Sequence, residues 1–180
     1  MLQDNEVRYD TIARAFHWLM AAIILTLIGV GIYMADLPDD APGRSTIFML
    51  HKSFGVLALV LLFGRIAWSR YKRPPELPAV LQPWEKKLAK SAHHLLYLLM
   101  FVVPFSGYAM STFGGYPVSF FGLFRMPTLF PKNETLGGFA HESHELLAYT
   151  LIAILALHIA GALKHRFLDR GEADVLKRML

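Results

Sequence analysis

The chain carries eight histidines and no cysteine, at positions 17, 51, 93, 94, 141, 144, 158 and 165. Without cysteine there are no disulfides, no thiolate-held iron–sulfur cluster and no C-x-x-C-H attachment of haem, so histidine is the natural ligand for a transition metal or a haem iron. Three of the eight fall in the stretch "HESHELLAYTLIAILALHIAGALK". A buried imidazole destabilises a fold unless its ring nitrogens find partners, so something must satisfy these rings. His144 and His158 are 14 residues apart. In a helix that is roughly 21 Å along the axis and within about 40° in rotation, so the two share a face at two depths. His141 is out of phase with His158 by about 100° and does not share that face. His165 is in phase with His158, but Lys164 and Arg166 beside it place it among lipid headgroups.

The elements that must position these residues are apolar helices. Of 180 residues, 54% are hydrophobic and 18% charged, more apolar and less charged than soluble domains, so a membrane protein is expected. Four segments carry little or no charge: Ala15 to Ala35, Thr46 to Gly64 apart from Lys52, Ser91 to Phe124, and Leu146 to Leu163. Each can supply the roughly 20 residues needed to cross about 30 Å of hydrocarbon. The second is the weakest, and spans if Lys52 and Arg65 snorkel toward the headgroups. The first is long for a secretory signal and "IYMADLPDD" offers no small-x-small cleavage site, so it reads as a retained helix. The expectation is one all-α transmembrane domain over residues 1–180, a four-transmembrane-helix bundle with helices at about 12–35, 46–70, 84–113 and 139–167. Pro104 should kink the third. The loop "GGYPVSFFGLFRMPTLFP" should lie along the membrane surface rather than span.

Loop charge sets the orientation. Arg8 and Arg14 precede the first segment; Arg65, Arg70, Lys72, Arg73, Lys86, Lys87 and Lys90 fall between the second and third; Lys164, Arg166, Arg170, Lys177 and Arg178 follow the fourth. The other two connections carry only Arg44, Arg125 and Lys132. The positive-inside rule then places both termini in the cytoplasm, with no need to invoke nucleic acid for the net charge of +4. His17 and His158 come to the inner level, His51 and His144 to the outer. Any one of these could be a hydrogen-bonded core residue. Four matched in depth on three helices point instead to two metal sites, the pairs His17/His158 and His51/His144, as a porphyrin iron with both axial positions filled requires. Gly55 and Gly161 would let a flat macrocycle approach the backbone, or serve helix packing. Arg14 and Lys52 could pair with haem propionates or with headgroups.

The ordered stretches "RYDTIARAFHWL", "MLHKSFGVL", "AHHLLYLLMFVVPFSGY", "GYPVSFFGLF" and "HELLAYTLIAILALHIAGALKHRFLD" cover nearly the whole chain, and with them the sequence resembles the bacterial cytochrome b561 family. The resemblance implies a membrane cytochrome of the bacterial inner membrane with two haem b groups, whose axial ligands correspond to His17, His51, His144 and His158. Members of that family include a superoxide:ubiquinone oxidoreductase.

Filled axial positions suit single-electron transfer and leave substrates to meet the haem edge. The expected function is therefore electron transfer between a periplasmic-side redox partner and the ubiquinone pool. His93 and His94 stand where the third helix turns apolar on the inner side; His93, which matches a family position, is the candidate for a quinone carbonyl partner or proton relay, and an interfacial role is the alternative. On the outer side Arg44, Lys52, Arg125 and Lys132 could steer superoxide, although Asp36, Asp39, Asp40 and Glu134 interrupt the patch. A rival reading is an electron-transfer subunit whose outer loop docks a periplasmic redox protein, with no superoxide activity. A third, a His-lined metal transporter, would contain no haem.

Overall fold

The computed structural model describes residues 8–180. Four long helices form the bundle: α1 Thr11–Ala35, α2 Arg44–Tyr71, α3 Pro83–Phe113 and α4 Glu134–Lys164. The shortest has 25 residues, about 37 Å at the helical rise, so each is long enough to cross the hydrocarbon. Local chemistry sets the starts. The Asp10 side chain accepts from the Ile12 and Ala13 N–H groups at 3.1 and 3.2 Å, Gln82 and Glu85 form a capping box ahead of α3 with Pro83 in its first turn, and the Asn133 side chain accepts from Leu136 N at 3.0 Å. Gly43 supplies a left-handed residue (φ 76°) before α2.

Three starts lie within two residues of expectation. α4 begins five residues before the expected Phe139, because Gly137 and Gly138 do not interrupt it. Gly137 lies against the backbone of Phe113 and Gly114, where an added Cβ would sit 3.6 Å from both, so the small residue serves helix contact. At its far end α4 passes into one π-helical turn, His165–Asp169, followed by short 3-10 turns at Gly171–Ala173 and Lys177–Met179. Pro104 does not end α3, which continues to Phe113.

The interior is small. Leu96 and Leu99 of α3 and Leu151 of α4 form its buried centre, flanked by Ile24, Met100, Val103, Leu147 and Leu155. Many large apolar residues face outward instead, among them Leu25, Ile32, Val60, Phe63, Leu98 and Leu157. A soluble protein does not expose such a girdle, whereas a bilayer covers it.

The two ends of the bundle differ in construction. At one end, the terminal end, the chain's last residues return to its first helix. The Tyr9 N–H donates to the Arg178 carbonyl at 3.1 Å, Trp18 Nε1 to the Met179 carbonyl at 2.8 Å, and the Arg14 guanidinium to the Leu180 carbonyl. Arg178 reaches the Glu76 carbonyl at 2.7 Å, and Arg166 pairs with the buried Asp174 at 2.5 Å. Burial alone would raise the Asp174 carboxyl, but Arg166 and the N–H groups of Lys177 and Leu176 outweigh it and hold it below the usual carboxylate range.

At the other end, the hairpin end, the α3–α4 loop folds into an antiparallel hairpin, β1 Ser119–Phe120 and β2 Phe124–Arg125, with Ser119 opposite Arg125. Its turn places both Phe121 (φ 50°) and Gly122 (φ 74°) in the left-handed region, the conformation that suits the strand twist. The hairpin hangs on the fully buried Ser53 of α2. Phe121 N donates to Ser53 Oγ at 2.9 Å, and the Ser53 hydroxyl shares its proton between the carbonyls of Met49 at 2.7 Å and Ser119 at 2.9 Å. The expected surface segment is thus a fixed cover over that end of α2.

Candidate functional site

Two groups of histidines occur, one toward each end. At the terminal end α1 contributes His17, α3 His93 and α4 His158. The His17 and His158 ring centroids are 6.3 Å apart, and those of His93 and His158 5.4 Å. A metal held at about 2 Å by one nitrogen of each ring puts two imidazole centroids about 6 Å apart. By distance His17/His158 suits a shared metal, and the His93 ring lies too close to His158 for the same arrangement. Arg65 of α2 reaches into the group, with Nη2 3.4 Å from His17 Nδ1 and its guanidinium 5.6 Å from the Tyr97 ring centroid.

Toward the hairpin end, α2 contributes His51 and α4 His144. His144 Nδ1 lies 2.9 Å from the Val103 carbonyl and 3.1 Å from Ser106 Oγ. A carbonyl only accepts, so Nδ1 carries the hydrogen and Nε2 keeps a free lone pair, the form that ligates a metal. The ring is held edge-on against α3: a Cβ at Gly107 would lie 2.9 Å from His144 Cε1. His51 Cε1 lies similarly near Gly31, where an added Cβ would stand at 3.4 Å. His51 Nδ1 is buried with no hydrogen-bond partner. Such an orphan is unfavourable unless a further group completes the site, so these residues fit a haem held by imidazoles.

The remaining histidines stand apart. His94 Nδ1 bonds the Lys90 carbonyl at 2.7 Å on an exposed face, and His141, one turn before His144, has its Nδ1 3.2 Å from Met110 Sδ. His165 contacts Asp169 at 2.6 Å. Together with Glu85 these two have the look of a cation site, but Lys164 already occupies it, its Nζ 2.8 Å from Glu85 and 2.6 Å from Asp169.

Among the cations expected to matter, Lys52 Nζ lies over the Tyr116 ring at 5.8 Å, and Arg14, bound to Leu180, keeps a buried Nε without a partner. Arg44 is engaged by Asp39 at 3.0 Å and Lys132 by Glu134 at 3.6 Å. An added methyl at Gly55 or Gly161 would meet no protein atom, so neither is glycine for the sake of helix packing. Ser53, Arg65, Ser106 and Gly107 were not expected. Only Arg65 had a signal in the sequence, as a charge at the edge of an apolar run.

Four membrane-length helices with imidazoles gathered at two levels define the class, a membrane-integral b-type cytochrome. Comparison with known proteins agrees. The family model described as prokaryotic cytochrome b561 matches residues 8–180. "Cytochrome b561 homolog 2" of Escherichia coli K12 is 36% identical, covering 96% of this chain and 91% of that protein. "Cytochrome b561 homolog 1" of the same strain is 27% identical, covering 91% and 92%. "Probable superoxide oxidase CybB" of Yersinia pestis is 30% identical, covering 96% of each. The chain belongs to the prokaryotic cytochrome b561 family, multi-pass bacterial membrane proteins that bind haem b and transfer electrons.

Proposed function

We propose that the chain is a dihaem cytochrome that carries single electrons across the inner membrane, from a periplasmic-side donor to ubiquinone. The observation that carries the reading is the division of the histidines into two groups that α4 serves with His158 and His144. On this reading His17 and His158 hold one haem b and His51 and His144 the other. The terminal end, with its basic loop, faces the cytoplasm together with both termini. When bound, each haem would supply a one-electron iron couple, and the four imidazoles would hold the two groups.

The chain's own residues do the rest. The Val103 carbonyl fixes the His144 tautomer. On this reading Arg14, whose buried Nε has no partner, and Lys52 would meet haem propionates. His93, whose ring contacts His158, would hold a quinone carbonyl or deliver a proton beside the cytoplasmic haem; the contact supports this role.

Superoxide is the small-molecule donor we favour. Two superoxide anions give up one electron each and become oxygen, and one ubiquinone takes both electrons and two cytoplasmic protons to become ubiquinol. The name of the Yersinia relative supports this donor. Of the four hairpin-end cations, Arg44 and Lys132 are paired to acids, and Lys52 and Arg125 form no ion pair among the described residues.

A second reading draws on the hairpin, whose Leu123 is 78% exposed and Phe124 55%. A periplasmic redox protein could dock there, making the chain an electron-transfer subunit without superoxide activity. Purified protein that reduces quinone with superoxide faster than the spontaneous reaction supports the first reading; no acceleration, with both haems loaded, supports the second. The pairing is tested by counting haems in His17→Ala, His51→Ala, His144→Ala and His158→Ala. Loss of the same haem from the first and last, and of the other from the middle two, is expected; any other grouping overturns it.

A further inference from the structure

The two candidate ligands whose second nitrogen is engaged meet opposite chemistry. His144 Nδ1 faces a carbonyl at 2.9 Å, an acceptor that makes the imidazole more basic and stabilises the more positive state of a bound metal. His17 Nδ1 faces Arg65 Nη2 at 3.4 Å. A guanidinium has donors only and stays charged at any working pH; at 3.4 Å it is too far for a good hydrogen bond, so with the hydrogen that a ligating imidazole keeps on Nδ1 it is the nearby positive charge, and not a hydrogen bond, that acts on the ring.

No carboxylate pairs with Arg65 among the described residues. Its guanidinium contacts the His17 ring and lies over the face of Tyr97, 5.6 Å from the ring centroid. Arg65 is part-buried at that contact. A lone fixed positive charge in a partly desolvated position acts more strongly on its surroundings than a solvated or paired one. The basic residues of the adjoining loop are on the surface, and Arg65 is the one directed at the histidines.

We propose that Arg65 is a positioning residue for electrons: its charge raises the reduction potential of the His17/His158 haem and so draws the electron toward the cytoplasmic, quinone side. The inference rests on the dihaem reading above. In the step it favours, one electron leaves the hairpin-end couple, which is oxidised, and enters the terminal-end couple, which is reduced; no proton moves.

The test is a spectroelectrochemical titration of the purified, haem-loaded full chain, with haem counted per chain and the terminal-end signal assigned by its absence in His17→Ala. Arg65→Gln is expected to shift the reduced-to-oxidised ratio of the terminal-end haem about tenfold toward oxidised at fixed potential, a 59 mV fall for one electron, and to leave the other haem within about threefold. Arg65→Lys, which keeps the charge, is expected to stay within about threefold at both. If Arg65→Gln does not load, Tyr97→Glu opposes the same charge in place and is expected to lower the same potential.

An unshifted terminal-end haem in Arg65→Gln overturns the inference, as does an equal shift at both haems or a fall in Arg65→Lys as large as in Arg65→Gln. Wild-type protein with fewer than two haems would sink the dihaem reading first and be seen in the count before any titration.

Discussion

The hairpin is anchored to α2 by neutral contacts, whereas the returning C-terminal segment is tied down largely by charged side chains. Ser53 holds the hairpin through one hydroxyl and three backbone groups, and the Val103 carbonyl orients His144. At the terminal end Arg14, Arg166 and Arg178 tie the returning chain, and Arg65 faces His17. Neutral hydrogen bonds to the backbone are indifferent to salt and to pH near neutrality, whereas contacts between charged groups respond to both. The anchor of the hairpin on Ser53 is therefore insensitive to ordinary changes of salt and pH, whereas the C-terminal closure responds to both.

The largest separation of the two ends should come from Gly107→Ala. The added methyl would stand 2.9 Å from His144 Cε1 and must displace the ring, a strain of about 1–3 kcal/mol. On the dihaem reading, loss of the hairpin-end haem is expected, with the spectrum assigned to His17/His158 intact; loss of both haems would mean that the ends are not independent. Ser53→Ala comes next. It strands the part-buried Phe121 N–H and should destabilise the chain by about 1 kcal/mol, seen as faster amide exchange in the hairpin while the contacts of Tyr9 and Trp18 stay protected.

The third prediction uses acid. Because the folded Asp174 carboxyl is held below its unfolded value, its contribution is complete above an unfolded pKa of about 3.9 and is lost as pH falls through the folded one. Acidification should release the C-terminal residues before the hairpin, read as a change in Trp18 fluorescence once its bond to Met179 opens; Asp174→Asn should show the released signal at neutral pH. The smallest effect belongs to Glu134→Ala, which removes an exposed pair at 3.6 Å and should leave the melting temperature unchanged.

Much of this was legible because membrane helices announce themselves by the absence of charge, and helical periodicity fixes which histidines share a face. His141 could be set apart from His144 and His158 by rotation alone. The beginning of α4 lies five residues ahead of its expected position: Asn133 caps it, and Gly137 belongs inside the helix because it packs on the Phe113 backbone, a contact that no local pattern records. The hairpin was illegible because its turn puts a phenylalanine at positive φ, which has no compositional signal. Ser53, Arg65 and Gly107 act through residues 66, 48 and 37 positions away in the chain. Nothing in a local pattern records such contacts, and the residue types are unremarkable where they stand. The C-terminal stretch read as a basic flank, while its backbone carbonyls, which every sequence has, turned out to be what the first helix uses.

That closure of the chain on itself has a consequence for biogenesis. Trp18 and Arg14 flank His17 in sequence, and their partners are Met179 and Leu180, 161 and 166 residues later. During synthesis α1 enters the bilayer early, yet the turn around His17 cannot be finished until the last of these residues has left the ribosome. The bond between Ser53 and Ser119 can form once two-thirds of the chain exists. Assembly of the two ends is thus ordered in time by the chain itself, and a ribosome stalled before Met179 would expose a bundle covered at one end and open at the other.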